Sequence, residues 1–194
     1  MGSDSDGDFN YFPIKNGRLE IIIGNMFSGK STELIRRINR EKSINKKIIV
    51  INFAGDNRYS LNSVSTHDQT KINSLKLNKL YDFNMNLLHQ YDSFFIDEGQ
   101  FFTDLYQFVQ ELVDKYSKHV VVSGLDGDFE RKSFGDIIKL IPICDTVDKL
   151  QAYCSKCNNG TYGPFTKKIS KSTQLVDIGG SNKYIPVCRM HHLA

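Results

Sequence analysis

The sequence predicts an α/β fold in which crossover helices connect the strands of a parallel sheet. Short apolar runs rich in β-branched residues occur at 19–23, 48–51, 94–96 and 120–122. Runs of this kind are typical of strands that are covered on both faces. Between 104 and 118, apolar residues recur at steps of three and four, which indicates a helix. Because strands and helices alternate along the chain, a parallel sheet is favoured over hairpins.

The remaining elements follow in chain order. Apolar residues at helical spacing predict a helix over 32–41, directly after the first strand and its loop. The segment 58–78 is polar and weakly periodic, so we expect a long loop there, with a short strand at 75–77. A shorter helix is expected over 135–140.

Composition and length limit the domain organisation. The chain has 194 residues, enough for one ordinary domain and a small appendage. Residues 1–17 carry little to bury and are expected to form a flexible tail. We expect an α/β domain over 18–150. In the segment 151–194, the apolar blocks are replaced by polar residues, Gly and Cys, which indicates a separate small domain.

Charge and hydropathy limit the class of partner. The net charge of +3 comes without a basic arm, which argues against a nucleic acid polymer as partner. No stretch of the sequence is apolar enough to cross a membrane, and the first ten residues lack the features of a secretory signal. We therefore expect a reducing, cytoplasmic location without a membrane partner, where cysteines more often bind metal than form disulfides.

A glycine-rich motif directly after the first strand predicts a phosphate-binding loop. Residues 24–31 fit the pattern of a glycine, four residues and then Gly-Lys-Ser. Glycines let successive N–H groups face an anion, and the following helix adds its N-terminus. Lys30 would reach the outer phosphates of ATP, and the Ser31 hydroxyl would bind Mg²⁺. A chance glycine-rich turn is the alternative, which the strand–helix context disfavours. The residues expected to bind ATP are Gly24, Asn25, Met26, Phe27, Ser28, Gly29, Lys30, Ser31 and Thr32.

Two carboxylates follow the strand predicted at 94–96. Ligands of parallel sheets bind beyond the carboxyl ends of the strands, so Asp97 and Glu98 should face the phosphates. Asp97 would hold Mg²⁺ through water, and Glu98 is the candidate general base. The alternative is a pair of solvated carboxylates that cap the next helix. The motifs leave open whether the base acts on water, as in an ATPase, or on a substrate hydroxyl, as in a kinase.

Cysteine and histidine residues near the C-terminus predict a metal site. Cys154 and Cys157 are separated by two residues, and Cys188 and His191 repeat that gap. Two ligand pairs on tight turns are typical of a closed, structural zinc site with three thiolates and one imidazole. His192 is a rival for the fourth ligand, and reduced thiols without a metal are the alternative.

Four segments of the chain resemble the type II thymidine kinases, the cytosolic family with a zinc domain. The resemblance covers nearly the whole chain after the tail. It implies a P-loop NTPase-type, RecA-like fold with a small C-terminal zinc-binding domain that carries a lasso loop. The segments are GNMFSGKSTEL at 24–34, FIDEGQFF at 95–102, GLDGDFERKSFG at 124–135 and DIGGSNKY at 177–184, followed by Cys188 and Arg189.

The resemblance also implies an activity and residue roles. Family members transfer the ATP γ-phosphate to the 5′-hydroxyl of thymidine or deoxyuridine. By this resemblance Glu98 accepts the hydroxyl proton, Lys30 and Arg58 steady the phosphoryl group, and Ser31 with Asp97 hold Mg²⁺. A homotetramer with dTTP as feedback inhibitor is also implied. The residues expected at the nucleoside, those of the lasso loop included, are Met26, Glu98, Phe101, Leu125, Phe129, Phe134, Leu175, Asp177, Gly179 and Tyr184.

Some positions depart from the family pattern. Asn25 stands where proline is usual, His191 where cysteine is frequent, and Asp177 at a lasso position that is often apolar. Lys168 stands where the vertebrate enzymes carry arginine.

Two other classes of function compete with a nucleoside kinase. One is a zinc-containing ATPase or switch that couples hydrolysis to a partner. The other is a nucleic-acid-binding zinc module fused to an inactive nucleotide fold. The intact phosphate-loop and acidic residues count against the latter, as does the weak positive charge.

Overall fold

The fold is an α/β arrangement around a six-stranded sheet. The computed structural model describes residues 16–55, 63–65, 71–170 and 182–194. The strands of these residues are β1 (Arg18–Gly24), β2 (Ile48–Phe53), β3 (Ser63–Ser65), β4 (Lys71–Asn73), β5 (Leu75–Leu77), β6 (Ser93–Asp97), β7 (His119–Gly124), β8 (Thr146–Leu150), β9 (Ala152–Tyr153), β10 (Tyr162–Gly163), β11 (Phe165–Lys168) and β12 (Tyr184–Val187). The central sheet has the order β5-β2-β6-β7-β1-β8, and every pair in it is parallel.

Helices connect these strands. The α-helices of the described residues are α1 (Lys30–Ser43), α2 (Leu105–Gln110) and α3 (Arg189–Leu193). A π-helical turn, Glu111–Lys115, continues α2. The 3₁₀ segments are Leu80–Asp82, Met85–Gln90, Gly99–Phe101 and Ile137–Ile143. In this described part of the chain no helix combines the length and apolar character needed to cross a membrane.

The central strands of the sheet are covered on both faces, and their side chains alternate between two cores. Ile22 packs with Leu34 and Ile38 of α1 on one face. Its neighbours Ile21 and Ile23 pack on the other face with the apolar stripe of α2. Strands β6 and β7 divide their side chains between the two cores in the same way. The continuous apolar runs of the sequence follow from this double coverage.

An ion-pair network ties α1 to one side of the sheet. The Arg37 guanidinium of α1 donates to Glu20 of β1 (2.6 Å), to Glu33 (2.9 Å) and to Asp148 of β8. The His119 ring of β7 lies 3.4 Å from Glu20. His119 and Arg18 outweigh the effect of burial and lower the pKa of Glu20 to about 2.

The fold class predicted from the sequence is confirmed, and several details differ. The polar segment 58–78 is not a simple loop, because β3 and β4 pair as an antiparallel hairpin within it. The helix expected at 135–140 is a 3₁₀ segment. Strand β8 pairs with β1 and was not predicted. Beyond it, two-stranded antiparallel sheets β9–β10 and β11–β12 replace the parallel pattern.

Candidate active site and metal cluster

The candidate active site lies where the parallel strands end. Strands β1, β6 and β7 are neighbours, and their carboxyl ends meet at one edge of the sheet. In the register, Ile23 is paired with Gly124 and Asn52 with Asp97. The loops that leave this edge carry the phosphate-loop motif, the acid pair and the segment 125–134.

The phosphate loop connects β1 directly to α1. Gly24 cannot carry a side chain, because a Cβ atom would collide with the Leu150 carbonyl oxygen. Gly29 precedes α1 with φ 85°, and a Cβ there would meet no atom within 4 Å, so space remains beside the helix N-terminus. The Lys30 ammonium donates to the Asn25 carbonyl at 2.7 Å, and the Ser28 hydroxyl donates to the same oxygen at 2.8 Å.

Asp97 lies deep at the end of β6, with only 5% of its surface exposed. The Ser31 hydroxyl donates to its carboxylate at 3.5 Å, so the two oxygen ligands expected for Mg²⁺ are adjacent. Burial and the neighbouring Glu98 charge raise the pKa of Asp97 to about 7. A hydroxyl and a carboxylate are ligands of the type that Mg²⁺ prefers, and a bound cation would favour the ionised carboxylate against the effect of burial.

Glu98 is held by its backbone and by an amide neighbour. Its φ of 55° and ψ of 40° lie in the left-handed region, which is uncommon for a residue other than glycine. The buried Gln100 side chain donates to the Glu98 carboxylate at 2.5 Å. The other end of the same amide accepts from the Leu125 N–H at 2.9 Å. Gln100 therefore fixes Glu98 relative to the loop that follows β7.

The aromatic side chains expected at the nucleoside fall into two groups. In the first, the Phe101 ring stacks on Phe53 with a centroid distance of 5.2 Å and meets the edge of Phe134 at 5.5 Å. In the second, the Lys168 ammonium lies 5.0 Å from the centre of the Phe129 ring and 6.0 Å from that of Tyr184.

Four metal-ligand side chains form a cluster in the C-terminal part. The ligand atoms of Cys154, Cys157, Cys188 and His191 all lie within 4.8 Å of one another. The His191 Nδ1 atom is 3.3, 3.4 and 3.6 Å from the sulfurs of Cys188, Cys157 and Cys154. With Zn–S near 2.3 Å and Zn–N near 2.0–2.1 Å, a tetrahedral site requires separations of about 3.5–3.8 Å. The donor types fit Zn²⁺, and the observed N–S distances lie within about 0.3 Å of the tetrahedral value.

The thiols of this cluster differ in acidity. Burial opposes ionisation of Cys154, but backbone N–H groups at Cys188, Cys157 and Lys156 outweigh it and lower the pKa of Cys154 to about 6. Burial and the neighbouring sulfurs raise the pKa of Cys157 to about 11. Adjacent thiols therefore do not all ionise unaided, and a full thiolate set needs a cation.

His192, the rival ligand, lies outside this cluster. Its Nε2 atom is 3.0 Å from the Phe129 carbonyl oxygen, and its ring meets the edge of Phe165 at 5.6 Å. A separate contact joins β11 to the phosphate loop, since the Thr166 hydroxyl accepts from the Met26 N–H at 3.1 Å. The metal cluster and the candidate active site therefore share supporting elements.

Several expected site residues lie outside the described residues. They are Arg58, Leu175, Asp177 and Gly179. Conversely, sequence reasoning missed Phe53 and Gln100. Phe53 is the last residue of a buried strand that ends beside the acid pair. Its position at the end of an apolar run could have identified it from the sequence. The role of Gln100 depends on contacts that no local pattern encodes.

The fold and the site together define a phosphate-loop α/β protein with an attached Cys₃His cluster. Comparison with known sequences is more specific. The family model for thymidine kinase matches residues 17–192, and the chain belongs to the thymidine kinase family.

Relatives from plants and viruses support this assignment. Thymidine kinase a of Arabidopsis thaliana is 39% identical over 199 residues, which cover 100% of this chain and 83% of the relative. Thymidine kinase of Oryza sativa subsp. japonica is 40% identical over 93% of this chain and 68% of the relative. For thymidine kinase of Vaccinia virus (strain Ankara), the identity is 40% over 91% of this chain and 97% of the relative.

Proposed function

We propose that the protein is a thymidine kinase of nucleotide salvage, which transfers the γ-phosphate of ATP to the 5′-hydroxyl of thymidine and of deoxyuridine. The observation that carries the proposal is the family match over residues 17–192, together with an intact phosphate loop and acid pair. The products are the nucleoside 5′-monophosphate and ADP.

In this proposal ATP binds at the phosphate loop. The loop N–H groups and the N-terminus of α1 face the phosphates, and Lys30 leaves the Asn25 carbonyl to reach the outer phosphates. Ser31 and Asp97 would hold Mg²⁺, which neutralises phosphate charge when bound. Arg58, which lies outside the described residues, is proposed as a second cation at the transferring group.

Glu98 is proposed as the general base. It accepts the proton of the 5′-hydroxyl while the 5′-oxygen bonds to the γ-phosphorus and the bond from that phosphorus to ADP breaks. Gln100 holds the carboxylate in place through the 2.5 Å hydrogen bond. A positioned base needs such a partner, because catalysis of phosphoryl transfer depends mainly on orientation and charge.

The nucleoside is proposed to bind between the two aromatic groups. Phe101 and Phe134 belong to one group, and Phe129 and Tyr184 to the other. Met26 and Leu125 are partly exposed and are proposed to line the same site. The backbone near Leu175, Asp177 and Gly179 is proposed to recognise the pyrimidine edge.

Further parts of the proposal concern the metal and the assembly. The Cys₃His cluster is proposed to hold a structural Zn²⁺. The division into a tail (1–17), a kinase domain (18–150) and a zinc-binding domain (151–194) is retained as a proposal. So are a cytoplasmic location, a homotetramer and inhibition by dTTP.

The test is a phosphate-transfer assay with MgATP and each of the four deoxynucleosides. Thymidine should be phosphorylated. Deoxycytidine should be a poor substrate, because its N3 acceptor would face an acceptor, and an unpaired buried polar group costs about 1–3 kcal/mol. ATP hydrolysis that is unaffected by any nucleoside would instead identify an ATPase. Efficient use of deoxycytidine or deoxyguanosine would indicate another nucleoside kinase.

A further inference from the structure

The Asn25 side chain is buried in the phosphate loop and is bonded to the C-terminal part of the chain. Only 2% of its surface is exposed. Its Nδ2 donates to the Gly163 carbonyl at 2.9 Å, and its Oδ1 accepts from the Ala152 N–H at 3.4 Å. Gly163 and Ala152 are register partners of β10 and β9. One amide thus bonds both strands of this hairpin at the same register position.

This hairpin supports the metal cluster. Cys154 directly follows β9, and its N–H donates to the Thr161 carbonyl at 2.7 Å across the hairpin. Gly163 lies against the Cys154 backbone so closely that a Cβ atom on it would be 2.9 Å from the Cys154 Cα. A displacement of β9 relative to β10 would therefore move the first metal ligand.

The main-chain carbonyl of Asn25 is hydrogen-bonded within the phosphate loop. It accepts from the Lys30 ammonium and from the Ser28 hydroxyl. The phosphate loop is therefore connected through a single residue to the hairpin that holds Cys154, and Lys30 releases the carbonyl of that residue when it turns to the outer phosphates. The bond from Met26 to Thr166 is a second, parallel connection.

We propose that Asn25 is a positioning residue that couples nucleotide binding at the phosphate loop to metal retention in the Cys₃His cluster. This inference rests on the proposed function, because it requires a nucleotide at the loop. A nucleotide bound to the loop N–H groups stabilises the loop conformation in which Asn25 is bonded to Gly163 and Ala152. Coupling is reciprocal, so the metal-loaded cluster also favours nucleotide binding.

The experiment measures the equilibrium affinity of the full-length protein for zinc by competition with a chromogenic chelator of known affinity, with and without MgADP. In the wild type, MgADP should raise the zinc affinity by at least about fivefold, the lower range of typical allosteric coupling. In Asn25→Ala and Asn25→Asp, the zinc affinity should be lower without nucleotide, and MgADP should raise it less than twofold. The aspartate substitution keeps the size of the side chain but presents an oxygen to the Gly163 carbonyl. Asn86→Ala, at an exposed asparagine, is the matched control and should behave as the wild type.

Calorimetry with MgADP separates the possible failures. If the wild type binds MgADP but its zinc affinity does not rise, the coupling is refuted and the proposed function is not. This outcome does not depend on whether the variants fold. A rise in zinc affinity as large as that of the wild type, in a folded Asn25→Ala protein, would also refute the coupling. If the wild type does not bind MgADP at all, the proposed function is wrong, and the coupling with it.

Discussion

Asp97 and Glu98 are adjacent in sequence but lie in different environments. Asp97 is buried beside Ser31, whereas Glu98 is partly exposed and accepts from Gln100. Environment separates the roles of paired carboxylates in many enzymes, because burial and hydrogen bonding move their pKa values apart. The two residues can therefore be tested separately.

Replacement of Glu98 tests the proposed base. Glu98→Gln keeps the shape of the side chain and removes the proton acceptor, so turnover should fall by about 10²–10⁴-fold. Thymidine affinity should change little. Single-turnover kinetics with MgATP give the rate, and calorimetry gives the affinity. Turnover near the wild-type value would refute the assignment of Glu98.

The buried Asp97 carboxylate, once ionised, should lower the free energy of unfolding of the protein. Its pKa is raised from 3.8 to about 7, so the folded protein retains a proton that the unfolded chain releases. The free energy of unfolding should therefore fall as pH rises from about 4 to 7. Asp97→Asn removes this effect, and without nucleotide and Mg²⁺ it should raise the Tm at pH 8 by several degrees. This increase in the Tm of Asp97→Asn should vanish near pH 4.

Thermal unfolding at pH 4, 6 and 8 measures this dependence. Asp114→Asn, at an exposed aspartate, is the control and should show no such trend. The same Asp97→Asn protein should have lost most of its kinase activity. A lower Tm for Asp97→Asn at pH 8 would contradict the argument.

At the residue level, the sequence predicted groups that act through local motifs. Lys30, Ser31 and Asp97 follow from the spacing of the phosphate loop and from the end of a strand. The contacts of Gln100 and Asn25 could not be predicted in this way. Each joins segments far apart in sequence, such as Gln100 with Leu125 and Asn25 with Gly163.

Helix α3 places two adjacent histidines in different roles. His191 faces the three sulfurs, and His192 contacts the Phe129 carbonyl. His191→Ala should lower zinc content and thermal stability, since structural zinc contributes folding energy. His192→Ala should keep its zinc but raise the KM for thymidine several-fold, because the Phe129 loop loses a partner. Metal analysis and steady-state kinetics on the two variants decide this. Zinc kept in His191→Ala and lost in His192→Ala would reverse the assignment.

The ion pairs that join β1, α1 and β8 should make the free energy of unfolding fall at acidic pH. The pKa of Glu20 is lowered from 4.5 to about 2, so its contribution is complete above about pH 4.5 and is lost as the pH falls toward 2. Glu20→Gln should therefore be less stable than the wild type at pH 7 and should lose less stability on acidification. Urea unfolding at pH 7, 4 and 3 measures both effects. Glu130→Gln, at an exposed glutamate, is the control. An equal loss of stability in wild type and Glu20→Gln on acidification would contradict this prediction.

At the level of elements, the buried strands were predictable and the edge strand was not. Strands β1, β6 and β7 are covered on both faces, and their sequences are continuous apolar runs. Strand β8 is mostly exposed and includes Asp148 and Lys149, so its sequence carries no burial signal. It is specified instead by pairing with β1 and by the Arg37 ion pair to Asp148.

Over the whole molecule, the candidate site uses segments from nearly the full length of the chain. The phosphate loop follows the first strand, the acid pair follows β6, and the cysteine ligands extend to Cys188. The parallel topology brings the phosphate loop and the acid pair to one edge of the sheet, whereas Cys154 and Cys188 follow strands of the antiparallel sheets. Motif spacing in the sequence therefore proposes members of the site but does not give the contacts between them.

The order of strands in the sheet has a consequence for synthesis on the ribosome. Strand β1 is made well before both of its neighbours, β7 and β8: Arg18 pairs with His119, and Glu20 with Thr146. Both edges of this very apolar segment stay unpaired until most of the chain has emerged. Such non-local pairing folds slowly and exposes nascent chains to aggregation. We expect nascent chains that are stalled before residue 146 to bind chaperones and to be cut readily by proteases, whereas the released full-length chain should resist both.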